Sequence, residues 1–447
     1  MRGLKSTLAL LAVLIGLGAY IYFGGAKKPS DTPASEKVFA GLDASKIDEL
    51  TVKSESGDVT SLKKDGGAWK MTAPMAVPAA ETDASAIANA MGDMEITRVV
   101  DDNPTDVKDY GLDTPRMTID FKSADGKTSG KLLVGAKTAT GSGLYARKND
   151  DKRVLLVPQY QETTLNKSTF DLRDKAIMKF DRAKVDGFDV SVGSNAFELA
   201  RVEAEWKLTK PAAARADSSA AEGLLSKVES AQMKAVASAA PTPEDLKKFG
   251  LDKPQATINL HMGSARATLL VGAKADDMTV YVRDTSKPDV FTVDTATADD
   301  LKKAADDYRR KEFFDFRAFN ATHVELTHNG QTVVFDRVKA KDDKSPDTWH
   351  RASPNPGDPD REKVERLLAG LADIRATSFA DKNAKTGLNA PALTVLAKFE
   401  DGKKEERVIL AKNGTDAFAS RADDPTPGKI EAEKLDEALK SLDELAK

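Results

Sequence analysis

The residues able to do metal or acid–base chemistry are few in this chain of 447 residues. It has four histidines and no cysteine, which excludes disulfides, thiolate metal sites and cysteine nucleophiles. The histidines are His261, His323, His328 and His350, and none of them forms a His-x-x-x-His pair. His323 and His328 are five residues apart on a predicted strand, so they face opposite sides of it. The sequence therefore predicts neither a metal site nor a cofactor.

Three short motifs match, in order, those of penicillin-recognising serine enzymes: Ser61-Leu-Lys-Lys64, Ser353-Pro-Asn355 and Lys385-Thr-Gly387. The nucleophilic serine of such an enzyme begins a buried helix, whereas Ser61 falls on a predicted strand. The glycine-rich segment 135–143 lacks the Gly-Lys-Ser/Thr ending of a phosphate-binding loop. Because none of these motifs has its required context, we predict that the protein is not an enzyme.

The charge balance argues against nucleic acid as a partner. Lys and Arg number 67 and Asp and Glu number 71, so the net charge is −4. Binding a polyanion needs a basic surplus, which this chain does not have. Hydrophobic residues make up 40% of the chain, enough to build several buried cores.

An apolar run covers residues 8–23 and follows two basic residues. Its length is short for a bilayer span but long for a signal-peptide core, and aromatic residues lie at its outer end. We predict an uncleaved transmembrane anchor over residues 1–25, with residues 4–25 in the inner membrane. The alternative is a signal peptide cleaved after Ala26. A flexible tether is predicted over residues 26–37. Both the anchor and the signal peptide imply that the rest of the chain is exported.

The remainder of the chain is a unit repeated three times. Each copy has a tryptophan five residues before a proline and, further on, a Gly-Leu-Asx-x-Pro corner. The repeat markers are Trp69, Pro74, Gly111 and Pro115; Trp206, Pro211, Gly250 and Pro254; and Trp349, Pro354, Gly387 and Pro391. Such regular spacing indicates tandem units, which we place at residues 38–180, 181–316 and 317–447.

Each unit is predicted to contain a hairpin, the tryptophan strand, a helix, the corner, about four strands and a closing helix. Asp83, Asp217 and Asp360 are predicted to cap the first helix of their units. Thr242 and Pro243 are predicted to begin a short helix at the second corner. The predicted fold class is α+β: an N-terminal transmembrane helix, then three tandem α+β units, mostly antiparallel sheets each with two main helices.

Certain tyrosines and arginines recur with the repeat. Tyr-x-Arg occurs twice after the corner, and one arginine recurs in the basic junction after each of the first two units. A looser third match is present at Phe418 and Arg421. Repetition favours salt-bridged scaffolding, and the alternative is a row of partner-binding residues along one face. The candidate partner-binding residues are Tyr145, Arg147, Arg173, Tyr281, Arg283 and Arg309.

The sequence resembles a bacterial family, domain of unknown function 4340. The residues that show the resemblance are Tyr110-Gly-Leu-Asp-Thr-Pro115, Leu132-Leu-Val-Gly135, Tyr145-Ala-Arg147, Val154-Leu-Leu-Val-Pro158 and Asp171-Leu-Arg-Asp-Lys175. The resemblance implies a single-pass envelope protein of the kind often encoded beside ABC-transporter permeases of the gliding-motility type. It implies no catalytic residues.

From the residues and the resemblance together we predict a non-enzymatic, membrane-anchored periplasmic repeat protein. It would be an accessory or interaction component of an ABC-transporter or envelope complex, with a transporter permease as its partner. The predicted location is the bacterial inner membrane, with one span and the bulk of the chain in the periplasm. One alternative is a binding module for cell-wall glycan or another envelope polymer, and another is a hydrolase.

Overall fold

The structure is a computed structural model that describes residues 36–340, 345–381 and 384–447. The described residues form an α+β fold that consists mainly of three antiparallel sheets and has fewer helices than strands. The predicted anchor and most of the predicted tether lie outside the described residues. Within the part of the chain that is described, no helix has both the length and the apolar character needed to cross a membrane. The chain divides into two compact units, Met1–Lys175 and Ala176–Lys447.

The described part of the first unit contains one nine-stranded antiparallel sheet. Its strands are β1 (Ile47–Lys53), β2 (Val59–Asp65), β3 (Ala68–Ala73), β4 (Val77–Pro78), β5 (Arg98–Asp101), β6 (Met117–Ser123), β7 (Ser129–Lys137), β8 (Gly143–Lys148) and β9 (Val154–Pro158). Their spatial order is β4-β3-β2-β1-β6-β7-β8-β9-β5. The helices are α1 (Glu81–Asp93), α2 (Gln161–Leu165) and α3 (Thr169–Leu172).

The described residues of the second unit form two sheets, and the first of them repeats this topology. Its strands are β10 (Gly187–Val192), β11 (Asn195–Val202), β12 (Glu205–Lys210), β13 (Ala214–Arg215), β14 (Ala235–Ser238), β15 (Ala256–Met262), β16 (Ala265–Lys274), β17 (Thr279–Asp284) and β18 (Val290–Asp294). The spatial order is β13-β12-β11-β10-β15-β16-β17-β18-β14. The helices are α4 (Ser218–Ser230), α5 (Pro243–Lys248) and α6 (Thr295–Asp300).

The third sheet has eight strands among the described residues and keeps the same order without the first edge strand. Its strands are β19 (Ala321–His328), β20 (Gln331–Val338), β21 (Thr348–Ser353), β22 (Ser378–Phe379), β23 (Leu393–Phe399), β24 (Lys404–Asn413), β25 (Asp416–Arg421) and β26 (Asp424–Ile430). The spatial order is β21-β20-β19-β23-β24-β25-β26-β22. The helices are α7 (Arg361–Ala372) and α8 (Ala432–Ala446).

In the first two sheets the repeat tryptophan is hydrogen-bonded to the helix that follows it. Trp69, Trp206 and Trp349 are all buried. The Trp69 indole N–H donates to Ser85 Oγ in α1 at 3.2 Å, and the Trp206 indole N–H donates to Glu222 Oε1 in α4 at 2.8 Å. The tryptophan strand ends before its proline in every copy, because proline cannot continue the ladder.

One predicted helix cap is wrong. Asp217 and Asp360 accept backbone N–H bonds at the starts of α4 and α7 as predicted, but α1 has Ala80 at that position. Asp83 lies inside the first turn of α1 and pairs with Lys167 at 2.8 Å. Helix α1 begins three residues earlier than predicted, and its first residue, Glu81, accepts a bond from the Trp69 backbone N–H at 2.8 Å.

The prediction of two main helices in every unit holds only for the third sheet, where α8 has 15 residues. In the first two sheets the closing helices α2 and α6 have five and six residues. There the chain must return to the edge of the sheet, where the backbone forms isolated β-bridges between Arg173 and Ala79 and between Arg309 and Ala216. A longer helix would carry the backbone away from these bridges.

Candidate functional site

The Gly-Leu-Asx corner has the local structure that its sequence predicts at the second copy. Thr242 caps α5 and forms a reciprocal capping box with Asp245, and Pro243 is the first helical residue. Gly250 then follows with φ 67°, the left-handed conformation that ends the helix without a Cβ clash. The first corner has only a single turn of 3-10 helix before Gly111, and the described part of the third corner has no helix.

The first two corners rest directly on a neighbouring strand of their own sheet. A Cβ on Gly135 would lie 2.2 Å from the carbonyl oxygen of Tyr110, and one on Gly272 would lie 2.3 Å from that of Phe249. In the second sheet the Ala273 N–H donates to the Phe249 carbonyl at 2.8 Å. Glycine is therefore required on the strand because the corner backbone occupies the space of a side chain.

This close approach brings the aromatic residue of each corner onto the tyrosine of the next strand. Tyr110 meets Tyr145 edge-to-face with ring centroids 5.1 Å apart, and Phe249 meets Tyr281 at 4.4 Å. Desolvation raises the pKa of the Tyr110 phenol, and the negative charge of Asp101 raises it further. Tyr145 and Tyr281 are both half-buried.

The arginine two residues after each tyrosine lies on the same face of the strand. Arg147 is opposite Leu133 on β7, and Arg283 is opposite Leu270 on β16. Both arginines are half-buried, and their Nε atoms are buried without a hydrogen-bond partner. Neither guanidinium forms a hydrogen bond or an ion pair with any residue that the structure describes. The expectation of salt-bridged scaffolding is wrong for these two arginines.

We call these two places the Tyr/Arg faces. The first consists of Tyr110, Tyr145 and Arg147 in the first unit, and the second of Phe249, Tyr281 and Arg283 in the second unit. Each combines an aromatic pair, a leucine on the adjacent strand and an unpaired cation. Such a surface can hold an apolar group and an anionic group side by side.

The two junction arginines are in a different environment. Arg173 and Arg309 are each 6% exposed. Arg309 pairs with Asp424 at 3.2 Å and lies over the ring of Phe379, 3.8 Å from its centroid. Arg173 donates to the sulfur of Met75 at 3.5 Å. Their guanidinium groups are buried within the chain, so the partner-binding hypothesis now concerns the four residues of the two strands.

The third copy does not repeat the Tyr/Arg face. The strand register places Ser420, and not Arg421, at the position of Arg147 and Arg283. The looser sequence match therefore assigned Arg421 to a position one residue away from its own. A shift of one residue along a strand places the side chain on the opposite face of the sheet. Thr386 stands where the other corners have an aromatic residue.

On the core side, Arg421 belongs to a buried charge cluster that the sequence did not predict. Its guanidinium donates to the carbonyl of Phe313 at 2.9 Å and pairs with Asp315 at 3.1 Å and with Glu406. Burial opposes the charge of Arg421, but Asp423 and the other carboxylates outweigh it and raise its pKa. These ion pairs connect Arg421 on β25 with Glu406 on β24 and with Asp315, which precedes β19.

Asp315 in this cluster is shared by three arginines. Besides Arg421, it accepts from Arg215 at 2.8 Å and from Arg310 at 2.6 Å. Burial lowers the pKa of Arg215, and the positive charge of Arg421 lowers it further. The sequence does contain the adjacent like-charged residues Arg309-Arg310 and Asp423-Asp424. It does not show which residues of opposite charge they pair with in the fold. The cluster connects parts of one chain and presents no reacting group.

Each of the four histidines has a hydrogen-bond partner within the chain. His323 Nδ1 lies 2.6 Å from Asp336 and its Nε2 lies 3.0 Å from Glu325. In the described ranges, no group of three or more potential metal ligands is close enough to hold an ion. Burial favours the neutral form of His323, but the bonds to Asp336 and Glu325 outweigh it and raise its pKa.

The histidine leads to a pH-dependent prediction. A raised pKa in the folded state means that protonated His323 stabilises the fold below its unfolded pKa of about 6.5, and that this stabilisation disappears as the pH rises through the folded pKa. His323→Gln should therefore lower the free energy of unfolding by about 0.5–1 kcal/mol at acidic pH and by less above neutrality. Urea titrations with hydrogen-exchange readout on β19, carried out at several pH values, measure this change in the free energy of unfolding.

The control for this prediction removes the two carboxylates. In a Glu325→Gln, Asp336→Asn background, the loss caused by His323→Gln should no longer vary with pH. A loss that grows as the pH rises would contradict the assigned direction of the pKa change.

Comparison with known proteins identifies one family. A family model described as Domain of unknown function (DUF4340) matches the chain twice, over residues 69–237 and 206–391. The matches begin at Trp69 and Trp206, which are corresponding positions of the repeat, and together they include both Tyr/Arg faces. Searches of curated proteins and of solved structures gave no match.

Proposed function

The chain belongs to the DUF4340 family, and we propose that it is a non-enzymatic, membrane-anchored periplasmic repeat protein that binds protein partners. Residues 1–25 would form the anchor, and the partner would be a permease or another subunit of an ABC-transporter or envelope complex. The apolar run over residues 8–23 supports the anchor. The resemblance to proteins encoded beside transporter permeases supports the partner.

The observation on which the binding role depends is the duplicated Tyr/Arg face. A half-buried, unpaired arginine occurs beside an aromatic pair at corresponding positions in both units. A buried Nε–H without an acceptor costs stability, so its occurrence at the same position of two units supports a role in binding. Binding residues are readily duplicated in repeat proteins, whereas one catalytic centre does not need a second copy.

Crosslinking of the full chain in cells, followed by purification in mild detergent, tests this proposal. The wild-type chain should recover a transporter subunit. Arg147→Gln with Arg283→Gln should reduce that recovery by about tenfold or more, because each variant removes a charge-assisted hydrogen bond. Arg407→Gln is the matched control, since Arg407 is an exposed strand arginine of the third sheet, and recovery should be unchanged.

Two results would contradict the proposal. Recovery of the chain alone under crosslinking would leave it without a protein partner. Sedimentation with purified cell wall that is lost in a Tyr145→Ala, Tyr281→Ala variant would favour the glycan-binding module instead.

A further inference from the structure

We propose that each Tyr/Arg face binds a side-chain carboxylate of a partner protein, with an apolar side chain of that partner packed beside it. This inference rests on the proposed function and adds the chemistry that the partner must present. It concerns Arg147 in the first unit and Arg283 in the second.

The first step of the argument is charge. An arginine stays protonated under all physiological conditions, so Arg147 and Arg283 each place a full positive charge at the sheet surface. Their Nε atoms are already removed from water and have no acceptor. No described carboxylate lies within ion-pair distance of either guanidinium, although the chain has many acidic residues and forms ion pairs elsewhere. An anion supplied from outside the described chain would therefore meet each guanidinium without competition from a carboxylate of the described residues.

The second step is the apolar surroundings of the charge. Arg283 lies opposite Leu270, which packs with Tyr281 against the buried cluster of Phe249, Leu251 and Val290. In the first unit Arg147 lies opposite Leu133 on the face that holds Tyr145. A ligand that reaches the guanidinium must also touch leucine and tyrosine carbons, so it combines an anionic end with an apolar neighbour.

The third step is the number of cations. One guanidinium fork matches the two oxygens of one carboxylate through parallel hydrogen bonds. Phosphate groups are typically held by several backbone N–H groups or by a cluster of basic residues. A single arginine between apolar side chains therefore favours the carboxylate of Asp or Glu over a phosphate group.

The third copy supplies a contrast within the same chain. Ser420 occupies the arginine position and Thr386 the position of the corner aromatic residue, so the two groups that would bind the ligand are both replaced. We therefore expect two binding faces of this kind in the described chain.

Nuclear magnetic resonance of the full chain in nonionic detergent, labelled with ¹⁵N-arginine, tests the inference. The Nε–H signals of Arg147 and Arg283 are assigned by Arg147→Lys and Arg283→Lys, which keep the charge but remove the fork. The probe is N-acetyl-Leu-Glu-amide, and N-acetyl-Leu-Gln-amide is its neutral control. Both signals should shift with the acidic probe at a concentration at least about tenfold lower than with the neutral one.

A titration of the same signals with inorganic phosphate and the crosslinking experiment distinguish the possible outcomes. Equal shifts with both peptides, no shift with either, or tighter titration by inorganic phosphate would overturn the inference. If the arginine variants lose the crosslinked partner but the acidic probe causes no shift, the proposed function stands and the carboxylate assignment fails. If the acidic probe shifts both signals but no protein partner is recovered, the proposed function fails and the carboxylate-binding face remains.

Discussion

Replacing Glu406 with alanine is expected to lower the free energy of unfolding around the third sheet by about 3–5 kcal/mol. The Glu406 side chain is 1% exposed. It accepts the backbone N–H groups of Asp315 and Phe316, each at 2.9 Å, and pairs with the buried guanidinium of Arg421. The variant would leave two backbone donors, of which that of Phe316 is buried, without this acceptor and remove one counter-charge of a buried cation.

The control is the adjacent residue on the opposite face of β24. Glu405 has a side chain that is 55% exposed and meets Lys398 only at 3.5 Å, so Glu405→Ala should change stability by no more than about 0.5 kcal/mol. Urea titrations with hydrogen-exchange readout on β23, β24 and β25 distinguish the two variants. Similar effects for both would show that the buried cluster does not stabilise this sheet.

Replacing Gly272 with alanine is expected to cost about 3 kcal/mol and to displace the second corner. The new Cβ would lie 2.3 Å from the carbonyl oxygen of Phe249 and 3.0 Å from a methyl group of Leu251. The nearer atom belongs to the backbone, so the corner itself must shift. Because the corner holds Phe249 over Tyr281, the variant should also weaken binding at the second Tyr/Arg face.

Gly223→Ala is the matched control for this substitution. Gly223 lies inside α4, and a Cβ there would meet no heavy atom within 4 Å apart from its own chain neighbours and helix backbone. Alanine should therefore stabilise the chain by about 0.4–1 kcal/mol, since glycine is the poorer helix former. Thermal unfolding with hydrogen-exchange readout on β16 and α4 measures both variants. A Gly272→Ala protein as stable as the wild type would contradict the close approach of the corner.

The sequence was sufficient for those parts of the fold that depend on neighbouring residues. The capping of α5 by Thr242, its end at Gly250 and the end of the tryptophan strands before proline are all local chemistry. The three-fold recurrence of the markers predicted three units with the same order of elements, and the described sheets share one strand order because a repeated pattern of turns and strands imposes a repeated pairing. The Tyr-x-Arg strands were identified for the same reason.

The properties of the candidate site depended on tertiary structure. Sequence could place Arg147 and Arg283 on strands, but whether each finds an acid depends on which strands and corners lie beside them, and those neighbours are distant in the chain. A one-residue difference in register moved Arg421 to the core face, where Glu406 meets it. Local sequence thus determined the elements and their repetition, whereas long-range packing decided which arginines are paired within the described chain and which are not.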